Sequence, residues 1–381
     1  MTRIVFLIFW FLSGKLVADE LFEINTTVRA LGMGNAYTAV VNDGHSLFYN
    51  PAGINRAQGY YWTILDLQVG AGNISAYNTL ANIQDPNQFS STLQQMYGEN
   101  IWVGGGLRTL FSMPYFALTY YDNFDASMTV DNPVSPELIL NVINDLGIGV
   151  AFGVPLSKSL HVGGTLKRID RKGIRQPIKS DELANLDPTT ITSKYDQKGV
   201  GYAADVGVNY LAPGPFHPVV SFVYKNIGNT RFLAPEGGIA PPGDDQEMIV
   251  GLASSFYTSG IRITPAIDFK HLLNYSEQIG KKINMGVEFS FPMIDIRGGF
   301  HQGYYTYGFS VDLGLFRVEA ASYGVELGEY PGQKEDRRYV IQFVMELGLG
   351  SDSPLFGGGK GGKKGSRRFQ SSRRRGLKQR R

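Results

Sequence analysis

The sequence predicts an all-β protein, a transmembrane antiparallel β-barrel of about fourteen strands. Three observations predict it: an export-type N-terminus, segments of about ten residues in which apolar and polar side chains alternate, and connections that are long and short in turn. Such alternation is typical of strands that face lipid on one side and a lumen on the other. An even count of roughly twelve to sixteen strands places both termini on the same side of the membrane.

The N-terminus has the pattern of a secretory signal peptide. Arg3 is followed by an apolar run from Ile4 to Leu12, which is too short to span a bilayer as a helix. We expect cleavage near Ala18, although Leu16 is not a preferred residue close to a cleaved bond. An uncleaved anchor and a buried strand are the alternatives for residues 1–18.

Period-two alternation defines the strands. Ile283, Met285 and Val287, for example, alternate with polar or small residues. The predicted strands are 60–70, 101–110, 115–124, 147–155, 160–170, 199–211, 218–226, 246–257, 261–270, 283–291, 294–301, 304–313, 315–323 and 338–348. Long and short connections alternate between them, and the tight link at 302–303 is the exception. Short turns on the periplasmic side and long loops outside are characteristic of outer-membrane barrels.

This register also directs charged side chains into the lumen. The residues concerned are Arg262, Asp268, Lys270, Glu288, Asp295, Arg297, Asp312, Arg317, Glu319 and Glu346. A basic residue at mid-depth on the lipid face would cost roughly 2–4 kcal/mol. The inward charges can pair with one another to fill a small barrel, or they can contribute to solute selectivity.

Composition and motifs argue against an enzyme. The chain has no cysteine, which excludes disulfides, thiolate metal sites and cysteine nucleophiles. The five histidines are scattered without ligand spacing. Near His45, the sequence from Gly44 to Phe48 lacks the last glycine of a nucleophile elbow, and the glycine pair around Met33 lacks the third glycine of a dinucleotide site. We therefore expect no cofactor and no metal.

The net charge of +2 hides an acidic body and a basic tail. Residues 351–381 contain 11 Lys and Arg and one acid, Asp352. This Gly/Ser/Arg/Lys-rich tail is predicted to be disordered. We expect no nucleic-acid partner; an anionic envelope polymer, a lipid head group or an acidic periplasmic protein fits the tail, and a purely solvating tail is the alternative.

Residues 29–54 combine glycines, small apolar residues and an Asn-Pro turn before the first strand. They contain an Ala-x-Gly-x-Gly opening, an acidic residue and an Asn-Pro-Ala block: Ala30, Gly32, Gly34, Asp43, Ser46, Asn50, Pro51 and Ala52. This stretch resembles the FadL family, the long-chain fatty acid and hydrocarbon transporters of the outer membrane. PorV-like barrels of a secretion machine share the same opening.

The resemblance implies an outer-membrane channel for hydrophobic solutes such as long-chain fatty acids, with periplasmic termini. It also implies an N-terminal hatch at 19–59 that plugs the lumen, and a lateral gap through which solutes leave. The hatch or gating residues would be Gly32, Gly34, Asp43, Asn50, Pro51, Ala52 and Gly53. Two features depart from the family: the strand predicted at 115–124 has no Gly or Pro to open such a gap, and the basic tail follows the last strand.

Two long loops carry helical signals and apolar faces. One helix is predicted to begin at Asp85–Pro86 and the other at Ser135–Pro136. Residues proposed to capture a hydrophobic solute at the barrel mouth are Phe89, Leu93, Leu138, Ile139, Val142 and Ile143. The alternative is that these faces pack together as a lid.

The sequence thus predicts a signal peptide at 1–18, a hatch at 19–59, a barrel at 60–350 and a tail at 351–381. The lipid bilayer and hydrophobic small molecules are the expected partners of the barrel. The alternative function is a non-transporting, secretion-associated or interaction barrel that binds partners through its loops or tail. An outer-membrane hydrolase is a third hypothesis, which would need Ser, His and an acid on adjacent strands.

Overall fold

The computed structural model consists mainly of antiparallel strands. It describes residue 21 and residues 23–349, apart from 74, 76–96, 132–136, 180–196 and 259. The strands in these residues are β1 (Tyr60–Gly72), β2 (Asn100–Met113), β3 (Phe116–Asp131), β4 (Glu137–Pro155), β5 (Leu160–Lys179), β6 (Lys198–Leu211), β7 (Val219–Lys225), β8 (Phe232–Leu233), β9 (Glu247–Ala253), β10 (Phe256–Thr258), β11 (Ile261–Phe269), β12 (Ile283–Ser290), β13 (Ile294–His301), β14 (Tyr304–Asp312), β15 (Phe316–Glu326) and β16 (Glu335–Leu349). The helices described are Val28–Gly32, Ser46–Tyr49, Ile279–Lys282 and the 3-10 helix Pro51–Arg56. Within the same residues, no helix has the length and hydropathy needed to cross a membrane.

Fourteen of the described strands close into a barrel. All their pairings are antiparallel, and β1 pairs with β16, which joins the first strand to the last. The two-residue β8 and three-residue β10 are additions to this ring, so β9 pairs directly with β7 and β11. The predicted all-β antiparallel barrel of about fourteen strands is confirmed.

The two ends of the barrel differ in their connections. One end, the short-turn side, carries the turns after β2, β4, β6, β10, β12 and β14. The other end, the long-connection side, carries 73–99, 132–136, 180–197, 226–246, 270–282 and 327–334, together with the tight link 302–303. The predicted alternation holds for most connections, and 302–303 is an exception, as the sequence indicated. The long loop predicted at 125–146 is wrong, because β3 and β4 leave only 132–136 between them.

The outer surface carries an apolar band between aromatic residues, and β6 shows it most simply. Its outward side chains run from Tyr202 through Ala204, Val206 and Val208 to Tyr210. The two tyrosines are 69% and 48% exposed. The two tyrosines are eight positions apart, which at about 3.3 Å per residue places them about 26 Å from each other along the strand. This matches the apolar band of about 25 Å between aromatic girdles in outer-membrane barrels.

The inward face carries the charges that the register predicted. Arg262 is 12% exposed at its side chain. The other nine predicted inward charges are buried: Asp268, Lys270, Glu288, Asp295, Arg297, Asp312, Arg317, Glu319 and Glu346. The predicted register is therefore correct over the strands that carry these residues.

The helix predicted to begin at Ser135–Pro136 is wrong. From Glu137 onward the chain belongs to β4, which pairs with β3 from Asp131↔Glu137 to Phe116↔Phe152. The apolar residues that matched a helical stripe are largely β-branched and suit a strand equally well. The hairpin of β3 and β4 therefore extends farther than predicted. The helix predicted at Asp85–Pro86 lies outside the described residues.

Candidate functional site

The lumen contains residues 27–56, which we call the plug. Almost every plug residue up to Ile54 is buried. Its first helix begins after Thr27, whose side-chain oxygen accepts a hydrogen bond from the Ala30 N–H at 3.3 Å. Its 3-10 helix begins with Pro51, a residue that suits a first helical position. Short helices joined by turns make this segment compact enough for a narrow lumen.

An apolar core lies between the plug and the inner wall. The plug contributes large side chains: Met33, Tyr37, Leu47, Phe48, Tyr49 and Ile54. The wall contributes mostly small ones: Ala117, Ala151, Val219, Ala253 and Ala266. Phe48 also meets Tyr121 edge to face, with ring centroids 5.2 Å apart. The small wall residues leave the space that the plug fills.

Polar side chains of the wall hold the plug backbone from several directions. Asp268 on β11 accepts hydrogen bonds from the N–H groups of Tyr37 and Thr38, both at 2.8 Å. On β16, the Gln342 Oε1 accepts from the Val28 N–H at 3.1 Å. Neither wall residue was a predicted site residue, although Asp268 was predicted to face the lumen. A polar residue at an inward strand position is the available signal, but many inward positions share it.

A buried ion network joins the plug to β12 and its neighbours. Arg29 reaches Glu288, with Nε and Nη2 at 2.8 and 2.6 Å from its two carboxylate oxygens. Arg297 on β13 also contacts Glu288 at 2.8 Å and extends the network to Glu319 at 3.0 Å. A bidentate guanidinium–carboxylate pair is both strong and directional. Removing one partner of a buried pair typically costs roughly 3–5 kcal/mol, so the network fixes the plug's position.

Asp43, one of the predicted gating residues, takes part in a second polar cluster. Its Oδ1 lies 3.0 Å from the His45 N–H and 3.3 Å from the His45 Nδ1. The His45 Nε2 lies 2.9 Å from Asp66 on β1. His45 therefore bridges a plug carboxylate and a wall carboxylate.

Gly32 and Gly34 allow the plug backbone to touch the wall. A Cβ on Gly34 would lie 2.3 Å from the carbonyl oxygen of Met285, and its φ of +63° is unfavourable for other residues. A Cβ on Gly32 would lie 2.8 Å from the Cα of Gly308 on β14. Glycines face each other across this contact, since a Cβ on Gly299 would meet the Gly34 nitrogen at 2.4 Å.

The predicted residues from Asn50 to Gly53 lie in one turn against the wall. The Asn50 Oδ1 accepts from the Ala52 N–H at 3.0 Å, and its Nδ2 donates to the Asn209 Oδ1 at 2.7 Å. Pro51 packs against Gly163, where a Cβ would lie 2.4 Å from the Pro51 carbonyl carbon. Gly53 lies against the carbonyl oxygen of Val41 within the plug. These contacts locate the residues; whether they gate a pathway stays a prediction.

Of the residues proposed for solute capture, those that the structure describes lie on a strand and not on one helical face. Ile139, Val142 and Ile143 lie on β4, as does Leu138. Ile143 is buried in the lumen, whereas Ile139 is 42% exposed. Phe89 and Leu93 lie outside the described residues.

A cavity of about 600 Å³ opens into the lumen on the long-connection side of the plug. Phe48 and Tyr49 line it from the plug, and the Lys225 ammonium lies 5.7 Å from the centre of the Tyr49 ring. Its remaining lining is rich in charged and amide side chains, with Ile143 and Ile169 among the apolar ones. We call this cavity the vestibule. Its mixed lining suits a molecule with both polar and apolar parts.

The first described residues of the chain are held at the edge of the vestibule. Glu23 pairs with Lys270 at 3.0 Å and with His271 at 3.6 Å. Burial alone would raise the pKa of Glu23, but the charges of Lys270 and His271 outweigh it, so this pKa lies well below its usual range. Glu23 also lines a second cavity of about 60 Å³ beside the vestibule. This stretch of chain therefore separates the two spaces.

At one position on the short-turn side, cavities lie against both faces of the wall. A cavity of about 140 Å³ inside the barrel, which we call the inner cavity, shares Pro218, Ala253 and Ser254 with an apolar depression of about 610 Å³ on the outer surface. There β9 ends at Ala253, and Pro265 on β11 provides no N–H to the ladder. The Ser254 N–H still donates to the Pro265 carbonyl oxygen at 3.1 Å. One layer of residues thus separates the lumen from the membrane-facing surface.

No family model and no curated protein matches the chain. Among solved structures it is similar to the monoaromatic hydrocarbon channel CymD, with 10% identity, a TM-score of 0.47 and coverage of 84% of this chain and 96% of that one. It is similar to the Pseudomonas putida toluene transporter TodX, with 10% identity, a TM-score of 0.45 and coverage of 86% and 99%. It is also similar to a Pseudomonas aeruginosa FadL homologue, with 9% identity, a TM-score of 0.44 and coverage of 84% and 97%.

Proposed function

We propose that this protein is an outer-membrane channel for hydrophobic solutes, long-chain fatty acids among them, and that the plug is its gate. The observation that carries the proposal is the order of spaces along the lumen. The vestibule lies on one side of the plug, and the inner cavity lies on the other. A solute that enters the vestibule can advance only if the plug shifts, because the plug core and its ion network fill the space between.

The proposed exit is the wall at Ser254, between the inner cavity and the apolar depression. An apolar solute gains free energy by entering lipid rather than water, roughly 25 cal/mol per Å² of buried apolar surface. The apolar depression outside the wall offers such an environment next to the inner cavity. This position supplies the weak point that the strand predicted at 115–124 lacks, because a strand end and a proline meet there.

The test locks the plug to the wall with a reversible disulfide. A Cβ on Gly44 of the plug would lie 3.1 Å from the Cβ of Ser112 on β2. Disulfides prefer a Cβ separation of about 3.5–4.5 Å, so a shift of a few tenths of an ångström suffices. The Leu110 side chain must also move, since its Cδ2 would lie 2.0 Å from the new Cβ. The chain has no cysteine of its own, so the Gly44→Cys/Ser112→Cys variant forms a single defined bond.

We expect oleate uptake by cells carrying the oxidised double variant to fall at least tenfold and to return after reduction. The single variants Gly44→Cys and Ser112→Cys control for the substitutions and should not respond to oxidation. Equal uptake in the oxidised and reduced states, with the bond verified on gels, would refute gating by the plug. If cells carrying the native protein took up no oleate either, the non-transporting interaction barrel would be favoured.

A further inference from the structure

The inner cavity is lined by three arginines. Arg29 and Arg56 approach it from the plug, and Arg262 approaches it from β11. His217 lies at its rim, and no acidic residue is among the described residues that line it. Hydroxyl and amide groups complete the polar part of the lining, including Ser255 and Thr264. Arg56 and Arg262 therefore bring positive charge to the short-turn side of the plug, whereas Arg29 is paired with Glu288.

The nearest carboxylate leaves Arg262 weakly compensated. Glu288 lies 2.6 Å from Arg29 and 2.8 Å from Arg297, but 3.5 Å from Arg262. One carboxylate thus contacts three guanidinium groups, and its shorter contacts are to Arg29 and Arg297 rather than to Arg262. The Nε of Arg262 is buried and has no hydrogen-bond partner among the described residues. A buried donor of this kind favours an acceptor that arrives with a ligand.

Arg56 also lines the cavity, and its guanidinium is bound to the backbone of the plug. Its Nη2 donates to the carbonyl oxygens of Ala39 and Val41, at 2.9 and 2.5 Å. The apolar part of the lining includes Val40, Leu211 and Val219. A lining that contains both positive charge and apolar side chains matches an amphiphilic anion.

We propose that the inner cavity is a binding site for a small monocarboxylate with an apolar body, such as an aromatic acid. The guanidinium groups of Arg262 and Arg56 would hold the carboxylate, since guanidinium and carboxylate form parallel charge-assisted hydrogen bonds. A volume of about 140 Å³ holds roughly one aromatic ring, because a cavity of about 150 Å³ accommodates benzene. A role of this site in transport rests on the proposed function, whereas binding of the carboxylate does not depend on it.

Binding is measured by equilibrium dialysis of benzoate against the full-length protein in lipid nanodiscs, with empty nanodiscs as the blank. We expect Arg262→Gln and Arg56→Gln each to raise the benzoate Kd at least tenfold. Benzyl alcohol, which has the same ring without the charge, should bind at least tenfold more weakly than benzoate to the native protein. The Kd of benzyl alcohol should be the same for both variants as for the native protein.

Arg168→Gln is the matched control, because Arg168 on β5 is 47% exposed and pairs with Asp170 away from the inner cavity. It should leave the benzoate Kd unchanged. Heat-resistant migration on gels verifies that each variant is folded, and Arg262→Gln carries the test alone if Arg56→Gln is unfolded. Native benzoate affinity in both cavity variants, or displacement of benzoate by equimolar inorganic phosphate, would overturn the carboxylate site. Because these measurements involve no transport, a failed locking experiment would leave their outcome intact.

Discussion

At the scale of single residues, Asn50 shows how one side chain fixes the plug. Its amide makes hydrogen bonds to the Ala52 N–H, the Thr38 carbonyl oxygen and the Asn209 Oδ1, at 3.0, 3.1 and 2.7 Å. Asn50→Ala removes all three. The Asn209 Oδ1 keeps its hydrogen bond from the Ser221 hydroxyl, but a buried group that is left unsatisfied costs roughly 1–3 kcal/mol. We expect a loosened plug in an intact barrel, because the strands are held together by their own backbone pairings.

The expected result is faster cleavage of the plug by added protease and a larger leak of polar dye from proteoliposomes, with unchanged heat-resistant migration on gels. Asn144→Ala is the control, since Asn144 bonds Asp122 at 2.6 Å on an exposed part of the wall. If Asn50→Ala matched Asn144→Ala in both assays, the anchoring role of Asn50 would be wrong.

At the scale of elements, local alternation predicts the strands well, whereas loop structure depends on more than local pattern. The strand predicted at 294–301 coincides with β13, because the outward Ile294 and Ile296 alternate with the inward Asp295 and Arg297. The helix prediction around Leu138 failed because adjacent apolar residues there fit the apolar face of a helix as well as the two faces of a strand. Pairing with β3 decides between them, and that partner lies outside any local window.

The barrel register gives a direct test by cysteine labelling, which has no background because the chain contains no cysteine. On β7, Lys225 lines the vestibule and Phe222 faces outward with 40% exposure. We expect Lys225→Cys to react with a polar maleimide at least tenfold faster than Phe222→Cys in membrane-inserted protein. Phe309→Cys on β14 also faces outward and should react with the maleimide as slowly as Phe222→Cys. Equal rates at Lys225 and Phe222 would contradict the register, since a slip of one residue exchanges the two faces.

At the scale of the whole molecule, the motif in residues 29–54 could be recognised from the sequence, but the wall residues that hold it could not. The glycines and the Asn-Pro turn are visible as a motif, and they explain the tight contacts at Gly34 and Pro51. The partners of the motif are far away in the chain, as in the bond from Val28 to Gln342, which are 314 residues apart. Such pairings follow from closure of the barrel, and closure is set by all the strands together.

Closure also predicts that the basic tail is dispensable for the barrel. β16 completes the ring through β1 and β15, with pairs from Tyr60↔Leu349 to Gly72↔Arg338 on the β1 side. All these pairs precede residues 351–381, which carry 11 of the basic residues and lie outside the described part of the chain.

We expect truncation after Gly350 to keep heat-resistant migration and to abolish sedimentation with anionic phosphatidylglycerol vesicles at low salt. Binding by the full chain should weaken as salt rises, because charges are screened beyond about 8 Å at physiological ionic strength. A Gly/Ser tail of equal length controls for chain length. If the truncated protein failed to assemble, or sedimented with the vesicles as the full chain does, the tail would not be a separate electrostatic docking element.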